Sequence, residues 1–285
     1  VAALIAFPII ERRAKEPIIP LSIFKDRIIS ISLVATFLSG FAMFGGIVFV
    51  PLFFQGVLGA SATSSGSFLT PMMLGVVVGS AASGQALSRT GGHYRIQGAV
   101  GLALIVLGLV LLSRMGISTS HARAVFNIVW GGIGLGRTFP LYVIAVQNSA
   151  PVELVGTATS IVPFARSMGG SFGLAIFGSI MTNRFAAEFL AQIPAGVKAV
   201  IPTQVLDSVT GNAQTLLSPE AQSGFKAVFD KLGEQGATLY AQTILALKSS
   251  LASALSDVFL IAALITILAF VANWFIKEIP LRKRH

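Results

Sequence analysis

Residues 28–57 read IISISLVATFLSGFAMFGGIVFVPLFFQGV, thirty positions without a charged side chain. As a helix rising about 1.5 Å per residue, a run of this length crosses the ~30 Å hydrocarbon core of a bilayer with room to tilt. It lacks the strict apolar/polar alternation of a membrane-barrel strand. In hydrocarbon every backbone N–H and C=O must find its partner within the protein, which leaves a helix. Five further runs follow, at residues 66–88, 96–113, 122–147, 157–182 and 253–276. The expected fold class is therefore an all-α membrane bundle of about six transmembrane helices.

The composition agrees. Of 285 residues 54% are hydrophobic and 11% charged, against roughly 25% charged in an ordinary soluble domain. A soluble core has no use for so much apolar surface. The formal net charge of +9 does not indicate nucleic acid, because the basic residues flank apolar runs instead of forming a stripe interleaved with exposed aromatics. With no cysteine in the chain, disulfides and thiol chemistry are excluded.

Residues 1–10 form an apolar stub, too short to span, that meets Glu11-Arg12-Arg13. A signal peptide carries its basic residues before the apolar stretch, so the stub reads as the end of a truncated transmembrane helix. On that reading residues 11–27 are a cytoplasmic loop, 28–182 hold five transmembrane helices, 183–252 form an extracytoplasmic helical loop, 253–276 are the last transmembrane helix and 277–285 a cytoplasmic tail. The orientation follows from the short loops. Arg12, Arg13, Lys15, Lys25, Arg27, Arg89, Arg95, Lys277, Arg282, Lys283 and Arg284 fall on one side, and Arg114 and Arg123 on the other. The positive-inside rule then places both chain ends in the cytoplasm.

Within 183–252, Ser218 and Pro219 followed by Glu220 read as a helix start. Phe225, Val228, Phe229 and Leu232 lie on one helical face, and Tyr240, Ile244, Leu247, Leu251 and Leu255 continue it into the last span. A helical hairpin capping the bundle is one reading, and a gate over the outer mouth the other.

The chemistry of a metal site or nucleophile is missing. His93, His121 and His285 are far apart in loops and tail, and there is no HExxH, GxxxxGK[ST] or GxSxG. No enzyme activity and no cofactor is expected. The spans instead carry small residues at close-approach spacing: Gly75 with Gly79, a glycine run from Gly131 to Gly136, and Gly169 with Gly173. Pro51, Pro71, Pro140 and Pro163 are sites for kinks. Ala62-Thr63-Ser64 before Pro71 and Ala158-Thr159-Ser160 before Pro163 form a faint internal echo.

Two arginines fall inside spans. Arg137 and Arg166 lie about 15 Å from the cytoplasmic ends of their helices, and a charge there costs roughly 2.5 to 3.5 kcal/mol on insertion scales unless it faces a partner or water. A cavity role is favoured for Arg137; for Arg166 a structural role, with the side chain snorkelling or bonding carbonyls, is the competing reading. No Asp or Glu lies deep in a span, so a carboxylate for proton coupling is expected in a missing amino-terminal half.

The chain resembles the last six helices of the fourteen-helix drug:proton antiporter branch of the major facilitator superfamily. The resemblance is carried, in order, by Pro17-Ile18-Ile19-Pro20-Leu21 with Phe24, Val50-Pro51-Leu52-Phe53-Phe54-Gln55 and the turn from Gly59 to Gly66. It continues through Gly132-Ile133-Gly134-Leu135-Gly136 with Pro140, Arg166 with Gly169-Gly170-Ser171 and Gly173, and Glu278-Ile279-Pro280-Leu281-Arg282. Gly84, Arg89 and Gly91 occupy the glycine and arginine places of the superfamily's cytoplasmic loop motif, but Ser88 stands where that motif has Asp, and Gly92 and His93 replace its closing basic pair.

What the resemblance implies is a secondary transporter, a proton-driven exporter of amphipathic or cationic small molecules working by alternating access in the cell membrane. Its partners are the lipid bilayer, a small-molecule substrate, protons and the missing amino-terminal half of the polypeptide, with no nucleic acid. The first and fourth spans would line a cavity, the second and fifth flank it, and the third and sixth face lipid. Candidate cavity residues are then Phe41, Phe44, Asn127, Trp130, Arg137 and Tyr142. The alternative is a helical membrane protein with an assembly or sensing role that moves nothing.

Overall fold

The first long helix, α1 (Arg27–Gly56), begins where Asp26 caps it: its Oδ1 accepts from the N–H groups of Ile28 at 2.8 Å and Ile29 at 3.0 Å. Such a cap satisfies donors the helix cannot bond itself, and stabilises a helix by about 1 kcal/mol. Five more long helices follow in the computed structural model: α2 (Leu69–Thr90), α3 (Tyr94–Ser113), α4 (His121–Ser149), α5 (Val155–Gln192) and α6 (Gly233–Asn273). The structure describes residues 21–198, 210–211, 223, 226–227, 229–230 and 233–280. The stub 1–10, the loop residues to 20, the helix start at Ser218, the face positions Phe225, Val228 and Leu232, and the basic end of the tail lie outside the described residues.

Five of the six helices are long and apolar enough to cross a membrane; α2 is not among them. It has the length, with 22 residues, but Ser80, Ser83, Gln85, Ser88 and Arg89 lower its apolar content. Two of its hydroxyls are paired with α4: Ser80 Oγ donates to the Gly136 carbonyl at 3.0 Å and Ser83 Oγ to the Arg137 carbonyl at 2.9 Å. A polar helix can lie in a bundle when its neighbour satisfies its side chains.

Glycines set the three closest seams. Between α2 and α4, a Cβ on Gly75 would come within 2.8 Å of the Val129 carbonyl oxygen, and one on Gly132 or Gly136 would strike the backbone of Met72 or Val76. Between α3 and α4, Gly108 meets Gly131 backbone. Between α1 and α5, Gly40 faces the Arg166 carbonyl and Gly169 the Phe37 carbonyl. In lipid, apolar residues have no drive to leave their surroundings, so close backbone contact supplies much of the association.

The packing has a two-fold plan. Helix α2 packs on α4 as α5 packs on α1, α3 on α4 as α6 on α1, and α3 and α6 meet each other. Exchanging the first three helices with the last three thus preserves these contacts, and Gly75–Gly79 and Gly169–Gly173 take equivalent places. The Ala-Thr-Ser echo does not: Ala62–Ser67 is a separate short helix ahead of α2, whereas residues 158–160 lie within α5. Pro51, Pro140 and Pro163 are inside helices, while Pro71 falls in the first turn of α2, where a missing N–H breaks no helical bond.

The largest departure from the sequence reading is at the end of the bundle where α5 finishes and α6 begins. Helix α5 continues ten residues beyond 182 and α6 begins twenty residues before 253. With 38 and 41 residues, at about 1.5 Å per residue, each is roughly twice as long as a ~30 Å hydrocarbon core is thick. Arg184 Nε pairs with Asp257 Oδ2 at 2.7 Å between the two. Beyond the pair, Phe185 and Phe189 are fully buried with rings stacked at 5.7 Å, and Phe229 meets Tyr240 edge-on at 5.7 Å. Leu247, Leu251 and Leu255 are buried along α6, so the helical face read from the sequence is a packed one.

Candidate functional site

The residues singled out from the sequence fall into three groups, not one. Phe41 and Phe44 belong to the seam of α1 with α5. The Phe41 ring stands edge-on to Phe37 at 5.6 Å and Phe177 at 5.9 Å, its backbone lies against Gly173, and the Phe44 ring covers Gly170. Gly169 and Gly173 make this approach possible.

The second group looks toward α3. Asn127, nearly fully buried, donates through Nδ2 to the Leu111 carbonyl at 3.0 Å. Arg137 donates through Nη2 to Gln97 Oε1. This corrects the expectation that Arg137 points into a cavity between the first and fourth spans: it faces the third. Trp130 is half-buried with its ring edge-on to the exposed Phe126 at 6.0 Å.

The third group ties together the ends of α3, α4 and α6. Tyr142 is fully buried and its hydroxyl donates to Asn273 Oδ1 at 3.1 Å; Asn273 Nδ2 donates to the Arg95 carbonyl at 2.8 Å. One amide thereby joins α6, α4 and α3. The Arg95 guanidinium lies 5.8 Å from the Trp274 ring centroid, and Asn148 Nδ2 holds the Pro280 carbonyl at 2.9 Å. Asn273→Ala leaves the Tyr142 hydroxyl without its partner and removes the extra bond to the Arg95 carbonyl, at a cost of about 1–3 kcal/mol for a buried group. The expected result is a lower melting temperature of the full-length protein in detergent.

Arg166 stands apart. It is 8% exposed, its backbone touches α1 at Gly40, and its guanidinium carbon lies 3.9 Å from the centroid of the Phe139 ring on α4. Its Nε is buried without a hydrogen-bond partner. Among the described residues the acidic positions of the long helices are Glu188, Glu234 and Asp257, and Asp257 pairs with Arg184, eighteen positions along α5 from Arg166. A cation over an aromatic face is attracted by the ring quadrupole, and a charge buried within an apolar bundle normally faces a partner or water.

Of the loop-motif positions, Gly84 lies inside α2 with open space around it, Arg89 is exposed in the last turn, and Gly91 is the left-handed cap at φ 73°, its N–H bonded to the Leu87 carbonyl at 3.1 Å. Sequence reading missed Gln97, Phe139 and Asn273. Gln97 and Asn273 were findable as amides inside apolar runs; Phe139, one phenylalanine among 21, carried no signal. Among the described residues no group of three or more His, Cys, Asp and Glu could hold a metal ion.

Comparison with known proteins adds the following. The family model described as Major Facilitator Superfamily matches residues 4–174. The chain is 31% identical over 291 residues to the multidrug transporter protein MdtP of Bacillus subtilis, an alignment that takes in 99% of this chain and 52% of that protein. It is 38% identical over 181 residues to multidrug resistance protein 3 of the same organism, covering 64% of this chain and 35% of the relative. A tetracycline resistance determinant of Streptomyces rimosus is 31% identical over 61% of this chain and 50% of its own length. The chain thus spans about half the length, or less, of the curated relatives it matches. A bacterial homolog of the human lysosomal transporter Spinster, solved inward-facing and unoccupied, superposes with a TM-score of 0.52 at 18% identity, covering 88% of this chain and 49% of that one; this likeness concerns the fold.

Proposed function

Since the chain belongs to the Major Facilitator Superfamily, we propose that it is the six-helix bundle of a secondary active transporter that expels small amphipathic or cationic compounds in exchange for protons. The observation that carries this reading is the run of relatives named for multidrug or tetracycline resistance, aligned with a bundle whose α1, α4 and α5 enclose an unpaired arginine and several phenylalanines. Aromatic faces offer adaptable apolar and cation-binding surface. The bundle would rock as a body against a second bundle of the whole transporter, its glycine seams keeping it rigid.

In the same proposal all six helices cross the cell membrane. Their alternation up and down brings Lys25 and Lys277 to one end, which the excess of Lys and Arg in short loops assigns to the cytoplasm. The outer extensions of α5 and α6 then stand in the extracytoplasmic space. Proton transfer needs a carboxylate whose burial makes it titrate near neutrality, and the length of the relatives not matched here is the place to seek it.

The test is efflux by the full-length protein in inside-out vesicles. An imposed proton gradient should drive uptake of a lipophilic cationic dye, and a protonophore should abolish it. Dye movement indifferent to both across a broad substrate panel would favour a non-transporting role.

A further inference from the structure

At the end of the bundle where α1 begins and α4 and α6 finish, three separate pieces of chain enclose a cavity of about 450 Å³. Lys25 and Arg27 come from the start of α1, Asn148 from the end of α4, and Lys277 and Pro280 from the segment after α6. The bond from Asn148 Nδ2 to the Pro280 carbonyl closes one wall. The volume falls in the roughly 300–1,000 Å³ range of ligand clefts.

Its charge is lopsided. Three cations line it against one carboxylate, Asp26, whose Oδ1 is taken by the N–H groups of Ile28 and Ile29. Among the described residues the ion pair is Arg184 with Asp257 at the opposite end, and no described carboxylate pairs with any of the three cations. Beside them stand exposed aromatics: Phe24 is 44%, Trp274 52% and Phe275 55% exposed. Large rings adjoining basic residues at helix ends mark the level where hydrocarbon meets headgroups.

We propose that this cavity is a binding site for the anionic headgroup of a phospholipid. The phosphodiester would be held by Lys25, Arg27 and Lys277, with acyl chains leaving across the Phe24 and Trp274–Phe275 surface into the bilayer. The lipid source is favoured over a soluble phosphate because the cavity lies at the membrane level and the aromatics flanking it have no use for a small ion. A bound lipid would fasten α1, α4 and the segment after α6 at one end. The site is independent of what the transporter carries and of which face is cytoplasmic.

Native mass spectrometry of the delipidated full-length protein tests it, with phosphatidylglycerol and phosphatidylcholine of matched chains supplied in detergent. Near an anionic surface each Lys or Arg contributes a factor of roughly five in affinity. Wild type should therefore retain phosphatidylglycerol at least about tenfold over phosphatidylcholine, and K25Q/R27Q/K277Q should lose that preference. R114Q/R123Q, at the other end, should keep it. All three cavity cations are exposed; should the triple variant nevertheless fail to fold, K277E alone should lower the preference about threefold or more. Equal retention of the two lipids, or a preference unchanged in the cavity variants, overturns the proposal. Displacement of phosphatidylglycerol by millimolar inorganic phosphate or glycerol 3-phosphate would overturn the lipid assignment and leave a soluble phosphate site.

Discussion

Gly169→Ala is expected to separate α5 from α1 and to lower the melting temperature of the detergent-solubilised full-length protein by many degrees. A methyl group at this position would overlap the Phe37 carbonyl oxygen and come within 2.7 Å of its carbon. The obstacle is backbone, which has no rotamer to move to. The reciprocal contacts, Gly40 against Arg166 and Gly170 backbone, lie along the same seam, so a shift at one disturbs the other. Overpacking of a tight contact costs about 1–3 kcal/mol, and more where nothing yields; alanine's better helix propensity recovers only about 1 kcal/mol. Gly84→Ala is the control, because a Cβ there meets nothing within 4 Å; it should leave stability unchanged or raised by up to about 1 kcal/mol. Near-equal melting of Gly169→Ala and wild type would mean that the seam is looser than described.

Arg166→Leu should do the opposite: keep the fold and remove the function. A buried charge without a hydrogen-bonded counter-ion is poorly compensated, and replacing such charges by apolar residues of similar volume is often neutral or stabilising by ~1–4 kcal/mol. Melting at or above the wild-type temperature is therefore expected. If the guanidinium over Phe139, at 3.9 Å, is a recognition group of the transport cycle, gradient-driven dye movement should fall at least about tenfold, the effect of losing roughly 1.4 kcal/mol of a state it stabilises. Arg166→Lys keeps the charge but not the planar fork that stacks on the ring, and should recover activity in part. Transport within twofold of wild type in Arg166→Leu, at equal protein level, would return Arg166 to a purely structural role.

The helices were legible in the sequence where lipid alone decides their ends. Reading residues 28–57, 96–113 and 122–147 agrees within two residues with Arg27–Gly56, Tyr94–Ser113 and His121–Ser149, because charges and caps such as Asp26 and Ser120 stand at the boundaries. The span limit at Thr182 fell short of the helix end at Gln192, and the limit at Ser253 lies inside a helix that the face from Tyr240 to Leu255 already carries upstream, because Asn183-Arg184 and Asp257 interrupt the apolar run but not the helix. There the helix is held by packing, Phe185 and Phe189 on one side and Leu247 and Leu251 on the other, and hydropathy does not sense it. The site was less legible for a geometric reason. Position along a span gives an expected depth, similar for Arg137 and Arg166. It does not give azimuth: successive residues turn by about 100°, so Gly136 meets α2 while Arg137 reaches α3. Which way a side chain points depends on helix crossings set by glycines whose partners lie far away in sequence.

The central claim is that six helices, the polar α2 included, cross the bilayer and leave both ends of the described chain on one side. The chain contains no cysteine, so single cysteines introduced here, in a full-length protein whose cysteines outside this chain, where present, are replaced by serine, can be labelled in intact cells with a membrane-impermeant maleimide. Ser61→Cys, Ser118→Cys and Gln192→Cys should label from outside, and Ser22→Cys, Thr90→Cys and Glu278→Cys only after the membrane is opened. Labelling of Ser61→Cys and Thr90→Cys from the same side would remove α2 from the membrane, and labelling of Ser22→Cys and Glu278→Cys from opposite sides would contradict the six-helix crossing itself.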